Sequence, residues 1–302
     1  MGSARIRLLL LAVLVLGLLA VPVSAAAPRS ITAAPVRTAD TSRGEIGYRS
    51  TGKGPPLVMI MGLSGTMDAW PPSFVDALAR KRRVITFDNA GIRRSALGSG
   101  PLTIARMADN TAALIRALRL KRADVLGWSL GGMIAQSLAR RHPRLLRRLV
   151  LCATAPGDGH GTLPDPATLS ELSDTSPTGG TELLFPPGRD ALAAEYVREI
   201  AAYPNFMPRA PADVSSQQLG ASGTWLTGRD PSGRGPGRLK LPVLIGAGEL
   251  DRALPVANQR YLARVLPNAR LKVYADAAHG FFIQHRRDFL RRVQRFLRTP
   301  RR

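Results

Sequence analysis

The sequence predicts an α/β fold, with a mostly parallel sheet, helices on both faces and an inserted helical cap. Three observations predict it. Leu57-Val58-Met59-Ile60-Met61, Arg83-Val84-Ile85-Thr86-Phe87 and Leu241-Pro242-Val243-Leu244-Ile245 are nearly continuous apolar runs, as expected of strands buried on both faces. Such runs alternate with helical patterns, which favours parallel strands joined by crossover helices. One interval, between Ala153 and Leu241, has no strand signal. It is far longer than the roughly 2–6 residues of an ordinary connection between helix and strand.

Taken in order, residues 36–38 and 45–50 read as two short strands around a polar turn, and Gly52-Lys53-Gly54-Pro55-Pro56 as punctuation before the first buried strand. Residues 70–80 read as a helix. Thr103 can cap a helix running to about Leu118, with Ile104, Met107, Thr111, Leu114, Ile115 and Leu118 on one face. Ala123-Asp124-Val125-Leu126 is a further strand, followed by a helix from Ser129 that Pro143 stops. Leu149-Val150-Leu151 precedes the long interval, in which residues 189–203 are the clearest helix. After Ile245 come a helix at 256–266, a strand at 271–274 and a helix at 287–297. The expected organisation is an export signal at 1–27, a core at 28–156 and 237–302, and a cap at 157–236.

At 302 residues and 45% hydrophobic content, the chain can bury one large core carrying an insertion. Its start reads as an export signal: Arg5 and Arg7 precede an apolar run at 8–21, and Val23-Ser24-Ala25 and Ala25-Ala26-Ala27 offer small-residue cleavage sites. The expectation is a secreted, periplasmic or cell-envelope protein cleaved near Ala25–Ala27, with an uncleaved membrane anchor as the alternative. Cys152 is the only cysteine, so no intramolecular disulfide can form. It reads as a small buried apolar residue. The net charge is +22, and loss of Arg5 and Arg7 leaves +20. Arginines concentrate at the C-terminal end, at 286, 287, 291, 292, 295, 298, 301 and 302. Only Phe289 and Phe296 fall among them, too few for the aromatic interleaving that single-strand binding requires, so no nucleic-acid partner is expected. A solvated helix face is favoured over weak association with an anionic membrane or envelope surface.

Gly127-Trp128-Ser129-Leu130-Gly131 matches G-x-S-x-G in a strand–turn–helix setting. The glycines let the chain reverse, and the helix N-terminus favours negative charge developing at Ser129. A serine nucleophile needs a base. Of the four histidines, His279 lies just after the last strand, where a parallel sheet delivers a loop to the same edge as Ser129. His142, His160 and His285 are less well placed. Asp251, directly after the Leu241–Ile245 run, is the expected acid. Glu249 and Asp158 are fallbacks, and Asp276 would have to fold back on its own loop. The order Ser129, Asp251, His279 suits this architecture. Two backbone N–H groups should hold an oxyanion: that of Leu130, and that of Leu63, with Gly62 allowing close approach.

At these residues the chain resembles the α/β-hydrolase superfamily over roughly residues 36–297. It is similar in particular to the capped bacterial branch that includes esterases, enol-lactonases, metal-free haloperoxidase-like perhydrolases and proline iminopeptidases. Phe87-Asp88-Asn89-Ala90-Gly91-Ile92-Arg93-Arg94-Ser95 resembles that branch's D-x-x-G-x-G-x-S segment, with Arg93 in place of the second glycine. Gly131-Gly132-Met133-Ile134-Ala135 and Cys152-Ala153-Thr154-Ala155-Pro156 are similar too. Met61-Gly62 stands where many relatives carry His-Gly, which implies a less polar pocket floor. The serine argues against the family's epoxide hydrolases and haloalkane dehalogenases, which use aspartate there.

The resemblance implies acyl transfer through Ser129 without a metal or organic cofactor. Met61, Gly62, Trp128, Met133 and Phe281 are the expected pocket residues, and a small apolar ester, lactone or thioester is the expected substrate. Two rivals stand beside this reading. An aminopeptidase could use Glu182, Glu195 or Glu199 to hold a peptide N-terminus. A non-catalytic hydrolase-fold protein could bind the envelope through its basic surface.

Overall fold

The computed structural model describes residues 30–174, 181–207 and 209–298. The expected export signal, part of the expected cap and the end of the basic tail, Arg301 and Arg302 included, lie outside the described residues.

Eight strands form one sheet among the described residues, in the order β1-β2-β4-β3-β5-β6-β7-β8. They are β1 (Arg37–Thr41), β2 (Gly44–Thr51), β3 (Pro56–Ile60), β4 (Arg83–Phe87), β5 (Ala123–Trp128), β6 (Leu146–Cys152), β7 (Val243–Gly248) and β8 (Ala269–Tyr274). β1 and β2 pair antiparallel, as do β2 and β4, and every other pairing is parallel. The mostly parallel sheet with helices on both faces is the architecture that the sequence predicts.

Residues of the central strands are buried on both sides because successive side chains point to opposite faces. Val58, Ile60 and Val125 join an apolar cluster with α2 (Ile104–Ala117), α3 (Leu130–Arg141) and α7 (Ala257–Val265). Leu57, Met59 and Leu126 join a second cluster with α1 (Pro72–Ala79), α8 (Phe281–Gln284) and α9 (Arg286–Arg298). α9 buries only Phe289, Val293 and Leu297, spaced four apart. This stripe holds the helix to the sheet, while Arg291 and Arg292 lie outside it and pair with Asp288.

Several elements differ from expectation. α1 starts at Pro72, not residue 70, because Pro71-Pro72 sets a helix N-terminus and a short 3₁₀ turn, Met67–Ala69, precedes it. β1 runs to Thr41 because it pairs with β2 along its whole length. The interval between β6 and β7 carries α4 (Pro166–Ser173), the expected α5 (Asp190–Ala201) and a longer, unexpected α6 (Ala212–Leu226). α6 contains Gly220, Gly223 and three serines, so tertiary packing of Val214, Ala221 and Trp225 outweighs weak propensity.

The segment after β4 is held by charge. Asp88 accepts from Met67 N–H at 2.7 Å and pairs with Arg93 at 3.5 Å. Burial still dominates and pushes its carboxyl up from 3.8 to about 6. A carboxyl raised on folding favours the protonated native state. Its contribution is therefore fully present below pH 4 and is lost as pH rises through 6. Urea unfolding of wild type and Asp88→Asn at pH 4, 5 and 7 should show wild type losing ground to the variant by up to about 3 kcal/mol as pH rises. A stability difference independent of pH would contradict this.

Candidate active site

Ser129 sits between β5 and α3 with φ 58° and ψ −123°, a backbone conformation that costs a non-glycine residue roughly 1–3 kcal/mol. Hydrogen bonds on both sides hold it there. Ser129 N–H donates to Cys152 O at 2.9 Å, and Thr154 Oγ1 donates to Ser129 O at 2.8 Å. A side chain at Gly127 would begin 2.2 Å from Gly131 O, and one at Gly131 would begin 2.1 Å from Ile60 O, so only glycine fits beside the turn. Trp128 and Leu130 are buried while Ser129 is partly exposed.

His279 follows β8 in a loop that several contacts fix. Its N–H donates to Leu183 O at 3.3 Å, and Gly280 N–H donates to Leu184 O at 2.7 Å. Trp128 Nε1 donates to His279 O at 3.3 Å, and the two rings lie 5.6 Å apart. The loop carrying the base is thus tied both to the cap and to the residue before the serine. His279 Nδ1 meets Asp251 Oδ2 at 2.9 Å, with both residues buried. An ionised carboxylate only accepts, so Nδ1 carries the proton and Nε2 of the neutral ring keeps a lone pair. Asp251 Oδ1 accepts from Leu254 N–H at 2.9 Å, which fixes its rotamer. A side chain at Gly248 would begin 2.3 Å from both Ala277 O and Ala278 O, so this glycine lets the two loops meet.

The other acids are engaged elsewhere. Glu249 pairs with Arg260, Asp158 accepts from Tyr261 Oη, and Asp276 meets His285 and Arg189. Among the remaining histidines, His142 pairs with Asp109 and His160 stacks on Tyr261.

The loop after β3 crosses the end of β5. At Gly62 a side chain would begin 3.1 Å from Ser129 Cβ and 3.7 Å from Ser129 Oγ. Among the described residues Leu63 N–H meets no acceptor, and Leu130 N–H opens α3, where first-turn donors lack helical partners. Two backbone donors therefore flank the serine from different elements. Gly62→Ala should lower kcat about 10²-fold by shifting the Leu63 donor, with little change in melting temperature. Unchanged turnover would remove this loop from the site.

Met61 is buried, its Cγ only 2.6 Å from where a Gly65 side chain would begin. It fills the underside of the loop. Met133 is buried in the cluster that α3 shares with α6. Phe281 is a correction: its ring packs on Tyr274, Phe282 and Phe289 and lies against Gly246, inside the core rather than on a pocket wall.

Sequence reasoning missed two features. The first is an ion cluster behind the oxyanion loop. Asp68 is fully buried between Arg49, at 3.3 Å, and Arg93. Arg93, at the place of the second glycine in the segment it resembles, has a left-handed backbone at φ 48° and spends its side chain on Asp68 and Asp88. The second is Gln218 of α6. Its Oε1 accepts from Ser64 N–H at 2.8 Å, next to Leu63, and its buried Nε2 has no partner among the described residues. Ala210 N–H also donates to Ser64 O at 2.8 Å, so the cap grips the loop by its backbone. The contacts of the cap with Ser64 span more than 100 residues of sequence, and no local pattern announces them.

The sheet order, the strand–serine–helix turn and the buried histidine–aspartate pair define a hydrolase fold of the α/β class. The family model for the alpha/beta hydrolase fold matches residues 55–286, and the chain belongs to this family. A protein of Caulobacter sp. (strain K31) named as a carbamate hydrolase, RutD, is 30% identical over 80% of this chain and 90% of its own. The pimeloyl-[acyl-carrier protein] methyl ester esterase of Aliivibrio fischeri (strain MJ11) is 27% identical over 83% of this chain and 96% of its own. Among solved structures, an alpha/beta hydrolase fold protein from Chitinophaga pinensis is 26% identical, with a TM-score of 0.76 over 89% of this chain and 99% of its own.

Proposed function

We propose that the protein is an exported serine hydrolase that cleaves a carboxylic ester, lactone or thioester through an acyl-enzyme on Ser129. The observation that carries this reading is the buried 2.9 Å contact of His279 Nδ1 with Asp251 Oδ2, built from two loops at the sheet edge where Ser129 turns. His279 Nε2 takes the Ser129 proton as Oγ attacks the carbonyl carbon, while Asp251 stabilises the imidazolium. The N–H groups of Leu63 and Leu130 hold the oxyanion. His279 then returns the proton to the leaving alcohol, and next takes one from the water that releases the acid. The relatives named as a methyl ester esterase and a carbamate hydrolase act, by their names, on a methyl ester and on a carbamate, which supports acyl chemistry at this site.

The aminopeptidase reading is less well supported. Glu199 is bound to Ser73 and Arg286, and Glu195 also pairs with Arg286, so neither carboxylate is spare for an amine. Chromogenic acyl esters of increasing chain length, beside a proline anilide, test the choice. Turnover of short and medium esters with negligible anilide cleavage is expected, and faster anilide cleavage would overturn the ester reading.

A further inference from the structure

A second concavity lies at the opposite edge of the sheet from Ser129. It has a volume of about 1260 Å³ and is bounded by the end of α3, the residues leading into β7 and the start of β8. The seven residues from Leu146 to Cys152 separate the two edges by about 20 Å along β6, at about 3.3 Å per residue step. Its walls carry Arg122, Arg140, Arg144, Arg238, Lys240 and Arg270, and Arg148 is buried at the lining. Among the described residues no aspartate or glutamate lines it.

Much of this charge has no ion-pair partner among the described residues. Asp109 and Asp230 both act on Arg141. Among the described residues Arg122, Arg140, Arg144, Arg238 and Arg270 have no ion pair. Arg140 Nη1 and Arg238 Nε, from separate elements, both lie 3.6 Å from the point where a Gly235 side chain would begin. Like charges brought together in a partly desolvated concavity repel, and a bound anion relieves that repulsion. A neighbouring hollow shares Arg270 and Phe296 and adds Lys272 and Arg295 beside the Asp288, Arg291 and Arg292 ion cluster, so cationic groups continue beyond what a single anionic group would fill.

We propose that this cleft binds a linear phosphate-bearing polyanion. Guanidinium forks match phosphate oxygens bidentately, and several guanidiniums along a track favour a chain over a lone ion. The recessed lining, with Arg148 buried, suits a narrow chain better than a flat bilayer. Among the described residues Phe296 is the only aromatic one lining it, so these residues offer no stacking platform of the kind unpaired bases use.

Titration calorimetry of the full chain with short-chain linear inorganic polyphosphate, at several salt concentrations, tests the proposal. Binding should weaken steeply with salt. Arg140→Gln/Arg238→Gln/Arg270→Gln should raise Kd roughly tenfold or more and flatten the salt slope. A control of equal charge change at exposed sites away from the cleft, Arg37→Gln/Arg94→Gln/Arg198→Gln, should change Kd less than about twofold. Thermal melting checks that both triples fold. Equal losses in the two triples would overturn the cleft as the site. Tighter binding to phosphatidylglycerol vesicles or to a single-stranded oligonucleotide than to polyphosphate would overturn the ligand class.

Discussion

Asp251→Asn should lower kcat by about 10⁴-fold while leaving KM and the melting temperature nearly unchanged. Asn is isosteric with Asp and can keep the contact with His279 Nδ1, but its NH₂ donates where the carboxylate accepts. If the amide presents that NH₂, Nδ1 must accept and the ring proton moves to Nε2, the atom required to take the Ser129 proton. If it presents its oxygen, the imidazolium loses the charge that stabilises it. Both routes cost the transition state and spare the ground state. The rotamer that presents NH₂ to His279 places the amide oxygen at the Oδ1 position, where Leu254 N–H now donates at 2.9 Å, so this rotamer keeps that contact and the fold survives. A loss below tenfold would return the acid's role to Glu249, Asp158 or Asp276, although each is already engaged with another partner.

Asp68→Asn should be the most damaging single change to stability outside the core. Asp68 is fully buried and neutralises Arg49 and Arg93, themselves largely buried. Breaking a buried ion pair from one side leaves an uncompensated charge and costs about 3–5 kcal/mol, or on the order of 10 °C in melting temperature for a chain of this size. Arg49 also donates to Ala34 O and Pro204 O, so the damage should reach the cap. Adding Arg49→Met should recover part of the loss, because one of the stranded guanidiniums is then gone. Urea unfolding of the two single variants and the double variant measures the coupling. A loss below about 1 kcal/mol for Asp68→Asn, or strict additivity in the double variant, would contradict the ion cluster's role.

What could be read from the sequence tracks how local its cause is. The Ser129 turn is local: a strand, two glycines and a helix start occur within ten residues, and the same backbone that strains Ser129 excludes side chains at Gly127 and Gly131. His279 and Asp251 were legible because a parallel sheet sends the loops after its strands to one edge. Choosing Asp251 over Glu249 needed more, namely the Gly248 approach to Ala277 and Ala278 that brings the two loops together. Phe281 was misplaced because adjacency to His279 in sequence says nothing about which way a ring turns, and Gly246 leaves space for it in the core. α6 was missed because glycine and serine dilute its apolar pattern. The substitution at Arg93 was visible, but its meaning lay in Asp68 and Asp88, carboxylates brought to it by other segments. The Arg-rich end drew attention in the sequence, yet in α9 Arg291 and Arg292 are partnered by Asp288. The uncompensated charge is instead assembled from α3, β8 and the residues before β7.

The acyl-enzyme on Ser129 is the claim on which the proposed function depends, and intact-protein mass spectrometry after reaction with a fluorophosphonate tests it most directly. One adduct, mapped by proteolysis to the peptide containing Ser129, slowed strongly by His279→Ala and absent in Ser129→Ala, is the predicted result. Equal labelling of wild type and Ser129→Ala, or an adduct mapped to another residue, would contradict it.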